Sequence, residues 1–268
     1  MNTRQTFAAA AMALAMFSTS VAQAASNIPE TTLRNFFLNS TGTGLAGATL
    51  IENFIDLTGL AYVNNTFTSD LTFNFREAAN FSERTADSVT DIDPILRATF
   101  VGTGTGTAGG LLTFDQGTLT LTERNGTPFA NFQLLEGTAN LIANSTIPQG
   151  TVSLIFQATS LASGYFFDSN GNDLSSAADI SILFGLSTTN ALPADSNTTI
   201  NPALVTLFNN SFDPDVSPTT SNGITDVQFS TNGQFRLATV PVPGAFWLLG
   251  SGLLGLATAA NRRKKLAA

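Results

Sequence analysis

Cysteine and histidine are both absent from this 268-residue chain. Without them there are no disulfides, no thiolate nucleophiles, no zinc sites of the usual ligand types and no triad that needs imidazole as its base. Lysine occurs only at Lys264 and Lys265, tryptophan only at Trp247, and tyrosine only at Tyr62 and Tyr165. The stretch from Ala25 to Thr239 carries all 19 acidic residues against six arginines (Arg34, Arg76, Arg84, Arg97, Arg124 and Arg236), a formal charge of −13. A field of that sign repels nucleic acid and other bare polyanions, so nucleic acid is not an expected partner. A cysteine-free body must be held together by core and sheet, and about 215 residues suffice to build both.

Both ends differ from this body. Met1 to Arg4 is a short cationic start, Thr6 to Phe17 is apolar, and Ala22-Gln23-Ala24 has the small-x-small form that signal peptidase accepts. Residues 1–24 therefore read as a signal peptide cleaved after Ala24, since the apolar run is too short to span a membrane comfortably. At the other end, Val240-Pro241-Val242-Pro243 precedes Gly244 to Ala260, which is 17 residues without a charge. As a helix that segment measures roughly 25 Å, the lower limit for crossing a bilayer. It has no polar face, unlike an amphipathic surface helix. Trp247 sits near its outer end and Arg262, Arg263, Lys264 and Lys265 follow it, which by the positive-inside rule fixes that end in the cytoplasm. The expected topology is an exported acidic body, residues 25–239, tethered by its C-terminus.

The body reads as β-rich. Phe36 to Leu38 is a short strand, and Leu71, Phe73 and Phe75 alternate with Thr72 and Asn74 as in a half-buried strand. Ala48 to Val63 is ambiguous between helix and strand, and the charged segment Arg76 to Pro94 reads mainly as a long exposed loop. Asn125-Gly126 and Asn232-Gly233 stand between alternating stretches and predict two hairpin turns. Thr151 to Ala158, Gly164 to Phe167 and Ile180 to Leu186 read as strands, followed by a proline-punctuated connection from Leu192 to Pro218. Short strands at this spacing predict one antiparallel domain: a β-sandwich, a jelly-roll-like fold or a barrel. The 22 phenylalanines suit a core filled from alternating faces.

Motifs that would carry chemistry are few. In DSNGNDLSSAAD, Asp168, Asn170, Asn172, Asp173 and Asp179 offer oxygen ligands near the spacing of a calcium loop. Gly171 falls two places early for that loop, so an Asn-Gly turn is the competing reading. Acidic pairs such as Asp91 with Asp93, or Asp213 with Asp215, are the residues a glycosidase would recruit, although a solvated acidic surface is the plainer account. Gly102 to Gly110 contains GxGxG with no amphipathic helix after it, which reads as a flexible connection rather than a phosphate loop. No catalytic set is expected, and the chain is not read as an enzyme.

The rigid extended Val240 to Pro243 segment adds something that simple anchoring does not need. With the apolar stretch and the basic cluster behind it, this ending resembles the PEP-CTERM sorting signal of exported bacterial proteins, in a variant with Val242 between the prolines. The resemblance covers roughly the last 28 residues, and the sorting signal as such is placed at residues 240–265. It implies processing by an exosortase-type enzyme after transient anchoring in the inner membrane of a Gram-negative bacterium. It also implies a destination at the cell surface or in the matrix with exopolysaccharide. FVGTGTGTAGGLLTFDQGTLTL, LLEGTANL and YFFDSNGNDL are similar to the bodies of flocculation-associated members, which implies a role in adhesion, flocculation or biofilm formation. A secreted polysaccharide hydrolase and a permanently anchored envelope protein are the alternatives. The intact mass of the extracellular product is expected to lack residues 1–24 and Gly244 to Ala268; a product retaining Lys264 and Lys265 identifies the permanently anchored form.

Overall fold

The computed structural model describes residues 31–86, 96–107, 111–142, 149–177, 182–188, 192–194, 197–212 and 215–239. The expected signal peptide and sorting segment lie outside them, as do Asp91, Asp93, Asp179 and Asp213. Among the described residues no helix is long and apolar enough to cross a membrane.

Three short strands come first: β1 (Thr31–Thr32), β2 (Phe36–Leu38) and β3 (Thr49–Ile51). Long strands follow: β4 (Ile55–Phe67), β5 (Thr72–Ala86), β6 (Arg97–Thr107), β7 (Leu112–Thr122), β8 (Pro128–Ile142) and β9 (Gln149–Leu161). The chain then makes β10 (Phe166–Phe167), a 3-10 turn (Leu174–Ala177), β11 (Ile182–Thr188), β12 (Leu192–Pro193), the helix α1 (Pro202–Phe212) and β13 (Asp226–Thr239).

Every long strand pairs antiparallel with the next along the chain, from β4 through β9 to β11 and β13. β13 then pairs β4 from Asp226 to Phe235 along its other edge. One sheet thus closes on itself as an antiparallel barrel, with β1 and β12 added on β13. Of the arrangements expected from sequence, this is the barrel; two sheets stacked as a sandwich or jelly roll are not what forms.

Alternation decides what each face holds. Ile55, Leu57, Ala61 and Val63 of β4 point inward, as do Phe75, Ala79 and Phe81 of β5 and Ala98 and Phe100 of β6. The rings of Phe75, Phe114, Phe100 and Phe156 meet edge-on in sequence, with centroids 4.9, 5.7 and 5.7 Å apart, a geometry that opposes ring edges to ring faces. Gly102 and Gly104 make room for these rings. A second small sheet, β10-β2-β3, joins the same core through Phe36, Leu38, Ile51 and Phe166. It sits at the end where Phe129 packs on Tyr165 with parallel rings 4.4 Å apart. Tyr165 donates to Glu123 there, and that bond, with burial, pushes its hydroxyl up to about 12.

On the outer wall, α1 lays Leu204 and Phe208 over Tyr62 and Ala78. Asn201 caps this helix by accepting the N–H of Ala203 at 2.9 Å, and Pro202 takes the first helical position, where no amide donor is required. Tyr62 meets Phe208 edge-on at 4.9 Å and donates to Asp226 Oδ1 at 2.7 Å. Burial, then Asp226, raise the Tyr62 hydroxyl far above its ordinary value.

Several expectations change. Asn232-Gly233 is not a turn: it lies inside β13, opposite Thr58 and Leu57, because β4 offers an unbroken partner that outweighs the local turn preference. Asn125-Gly126 is a turn, with Gly126 at φ 91°. Arg76 to Ala86 belongs to β5, not to a loop. Its alternation is hidden because Ala78 is buried under α1 while Ala79 is buried inside. Gly102 to Thr107 is β6 rather than a flexible connection. The Leu192 to Pro218 connection contains α1. A Cβ at Gly104 would overlap the Thr113 carbonyl and the Phe75 ring, whereas one at Gly185 would meet nothing within 4 Å. Gly104→Ala is therefore expected to cost about 2 kcal/mol or more and Gly185→Ala to be near neutral, as read by denaturant midpoints.

Candidate functional site

Closing the barrel aligns outward-facing residues from distant parts of the chain. Register places Ser230, Leu60, Asn80, Thr99, Thr120, Asn131 and Ser160 in one row across seven strands. The next row holds Thr58, Ser82, Arg97 and Thr122. Parts of these two rows floor a solvent-facing groove of about 920 Å³, bordered by Asn201 at the start of α1 and by Gly126 in the β7–β8 turn. Five adjacent strands contribute, a width of about 19 Å at the usual strand spacing of roughly 4.8 Å.

Among the described lining residues eight carry a hydroxyl or amide side chain, Leu60, Phe81 and Ala98 are apolar, and Arg97 is the one charged side chain. Among the described lining residues none is a carboxylate, the group that glycoside hydrolysis uses as general acid and base. Groups of this kind can donate to and accept from a polyhydroxylated ligand in many registers. The upper row continues as a bonded ladder: Thr120 donates to Asn131 Oδ1 at 3.0 Å and Asn131 Nδ2 donates to Ser160 at 3.0 Å. Cross-strand pairs of this type also help hold the register.

The residues singled out for calcium have other duties. Asp168 Oδ1 accepts the N–H groups of Asn170 and Asn172 at 2.8 and 2.9 Å, and its Oδ2 accepts Asn172 Nδ2 at 2.9 Å. Gly171, at φ 84°, completes this turn. The Asn172 side chain, then its backbone, hold the Asp168 carboxyl below its usual range. Asp173 accepts Ser163 Oγ and the Gly164 N–H at Oδ2, at 2.7 and 2.8 Å, and the Ser175 N–H at Oδ1. Burial works to raise the Asp173 carboxyl, but these bonds outweigh it and leave it lowered. Among the described residues no group of three acidic side chains stands where it could hold a metal ion; Asp179 lies outside them. Asp215 is exposed and its expected companion Asp213 is not described.

One carboxylate was missed. Glu77 lies between Phe75 and Ala79 on the inward face of β5, across from Val63 of β4 and Gly102 of β6. Strict alternation from Phe73 onward would have assigned it there, but its charge suggested a loop. It has no hydrogen-bond or ion-pair partner among the described residues, and burial alone raises its carboxyl to about 7.

No family model, curated protein or solved structure matches this chain.

An acid whose folded pKa is raised favours the folded state at low pH, where it is protonated in both states. That advantage is lost as pH rises from about 4.5 to about 7, because only the unfolded chain then ionises freely. The difference is on the order of 3 kcal/mol. Glu77→Gln is expected to raise the melting temperature relative to the parent at pH 8, with the gap closing toward pH 4. The loop aspartates, whose stabilisation is lost on acidification, affect both proteins alike and cancel in the comparison.

Proposed function

We propose that this chain is an exported surface or matrix protein that binds exopolysaccharide through the polar groove across β13, β4, β5, β6 and β7, and so supports adhesion, flocculation or biofilm formation. The observation that carries the reading is the groove itself: two register-aligned rows in which, among the described residues, hydroxyl and amide side chains stand with Leu60 and Arg97. The body's excess of acidic residues suits neutral glycans or contacts bridged by cations better than bare polyanions. In this reading signal peptidase removes residues 1–24, and Gly244 to Ala260 with Arg262 to Lys265 holds the chain transiently in the inner membrane. An exosortase-type enzyme then cuts near Pro241 to Pro243. The exported β-rich body reaches the surface or matrix.

A polysaccharide hydrolase is less well supported. It requires two carboxyl groups across a cleft, whereas among the described side chains none lines the groove and Glu77 stands alone on the inner face. Calcium enters this reading only as a bridge to the acidic surface, because Asp168 and Asp173 are engaged by protein donors.

The combined variant Asn80→Ala, Arg97→Ala, Thr99→Val is expected to reduce retention on the host's purified exopolysaccharide by on the order of tenfold or more and to weaken cell aggregation. Exposed Asp115→Asn is expected to change neither. Undiminished retention by a folded triple variant would remove the groove from the reading.

A further inference from the structure

Polar side chains on the outer wall of the barrel behave differently inside and outside the groove. Where the upper row leaves the groove they bond one another, Thr120 to Asn131 at 3.0 Å and Asn131 to Ser160 at 3.0 Å. Within the groove the side chains of Asn80, Ser82, Arg97, Thr99 and Thr122 make no hydrogen bond or ion pair among the described residues. Their donors and acceptors are therefore free for solvent or for a ligand.

Arg97 has the most distinctive chemistry of this set. It begins β6, is exposed, and is flanked in register by Ser82 of β5 and Thr122 of β7. A guanidinium is always charged and carries five donors and no acceptor. Its planar fork matches the two oxygens of a carboxylate with two parallel N–H···O bonds. The hydroxyls on either side can donate to the same oxygens or accept from a neighbouring hydroxyl of the ligand. Toward β4 and β13 the described lining is uncharged, with Asn80, Thr58, Leu60 and Ser230. The groove thus has one cationic position near its β7 side and a neutral remainder.

We propose that the groove selects a mainly neutral glycan segment bearing an isolated carboxylate, as a uronic acid does, with the carboxylate on Arg97 and neutral sugars over Asn80, Leu60 and Ser230. This inference rests on the reading of the groove as a glycan site and names the chemistry that the site prefers. One cation balances one anion. A densely charged polymer would set further carboxylates against a body whose formal charge is −13, and that repulsion opposes binding. A phosphate monoester carries close to two negative charges at neutral pH, and the described lining offers a single cation. A wholly neutral glycan would leave the Arg97 fork without the charge-assisted bonds it is built to make.

Retention of the full-length chain on the host's purified exopolysaccharide, native and after chemical reduction of its carboxylates to alcohols, tests the assignment. Carboxyl reduction is expected to weaken retention of the parent protein by on the order of fivefold. Arg97→Gln is expected to lose about as much on the native polymer and nothing further on the reduced one. Arg76→Gln removes an exposed arginine outside the groove lining and is expected to match the parent on both. An unchanged melting temperature shows that the Arg97 variant is folded. Equal retention of the parent on the two polymers overturns the carboxylate assignment and leaves the groove as a site for neutral glycan. So does a loss on reduction that persists in Arg97→Gln, or an equal loss in Arg76→Gln. Failure of the parent to be retained on either polymer would sink the glycan reading of the groove together with this inference.

Discussion

Everything in this molecule depends on the pairing of β13 with β4. A sheet built from consecutive antiparallel strands has two edges, and an edge of unpaired N–H and C=O groups invites association with other chains. β13 removes both. Its second half pairs β11 while its first half pairs β4, and the two ladders overlap only around Gln234 and Phe235. Asp226, at the start of β13, receives Tyr62 and Asn64 of β4 at 2.7 and 3.0 Å. Tyr62 in turn lies beneath Phe208 of α1. The helix therefore covers the seam, and the seam orients the helix.

Closure also sorts the composition. A chain rich in phenylalanine and equally rich in threonine, serine and asparagine looks contradictory as a list, but a barrel has one face for each set. Phenylalanine rings meet edge-on inside, with glycines of β6 giving them space. Hydroxyls and amides align outside in rows that no sequence neighbour anticipates, since Ser230, Asn80 and Asn131 become parts of one row only when the strands are in register. The groove and the enclosed Glu77 belong to opposite faces of the same strands. Alternation gives the two faces separate sets of residues.

How far the sequence was legible varied with how local each signal was. Phe73 and Phe75 announced β5, and Asn125-Gly126 announced its turn, because these depend on neighbours a few residues away. The same dipeptide at Asn232-Gly233 misled, since the partner strand β4 lies far away along the chain. Arg76 to Ala86 hid its strand character because both faces of part of β5 are covered, one by the barrel interior and one by α1. The helix itself carried a readable start in Asn201-Pro202, obscured by the prolines and threonines around it. In the loop expected to hold calcium, Asp168 and Asp173 were visible as oxygen-bearing residues. Their engagement with Asn172, Ser163 and Gly164 was not.

Composition alone determined that disulfide, thiolate and imidazole chemistry are absent, that the body between its two unlike ends is strongly acidic, and that its repeated short alternations form strands. These follow from residue identity and from contacts over a few positions. Which strands become neighbours, which polar residues meet in a groove and which carboxylate lies on the inner face were decided by tertiary structure. The physical reason is that a strand's two faces look the same to its own sequence until a partner strand and a closed sheet assign one of them to water and the other to the core.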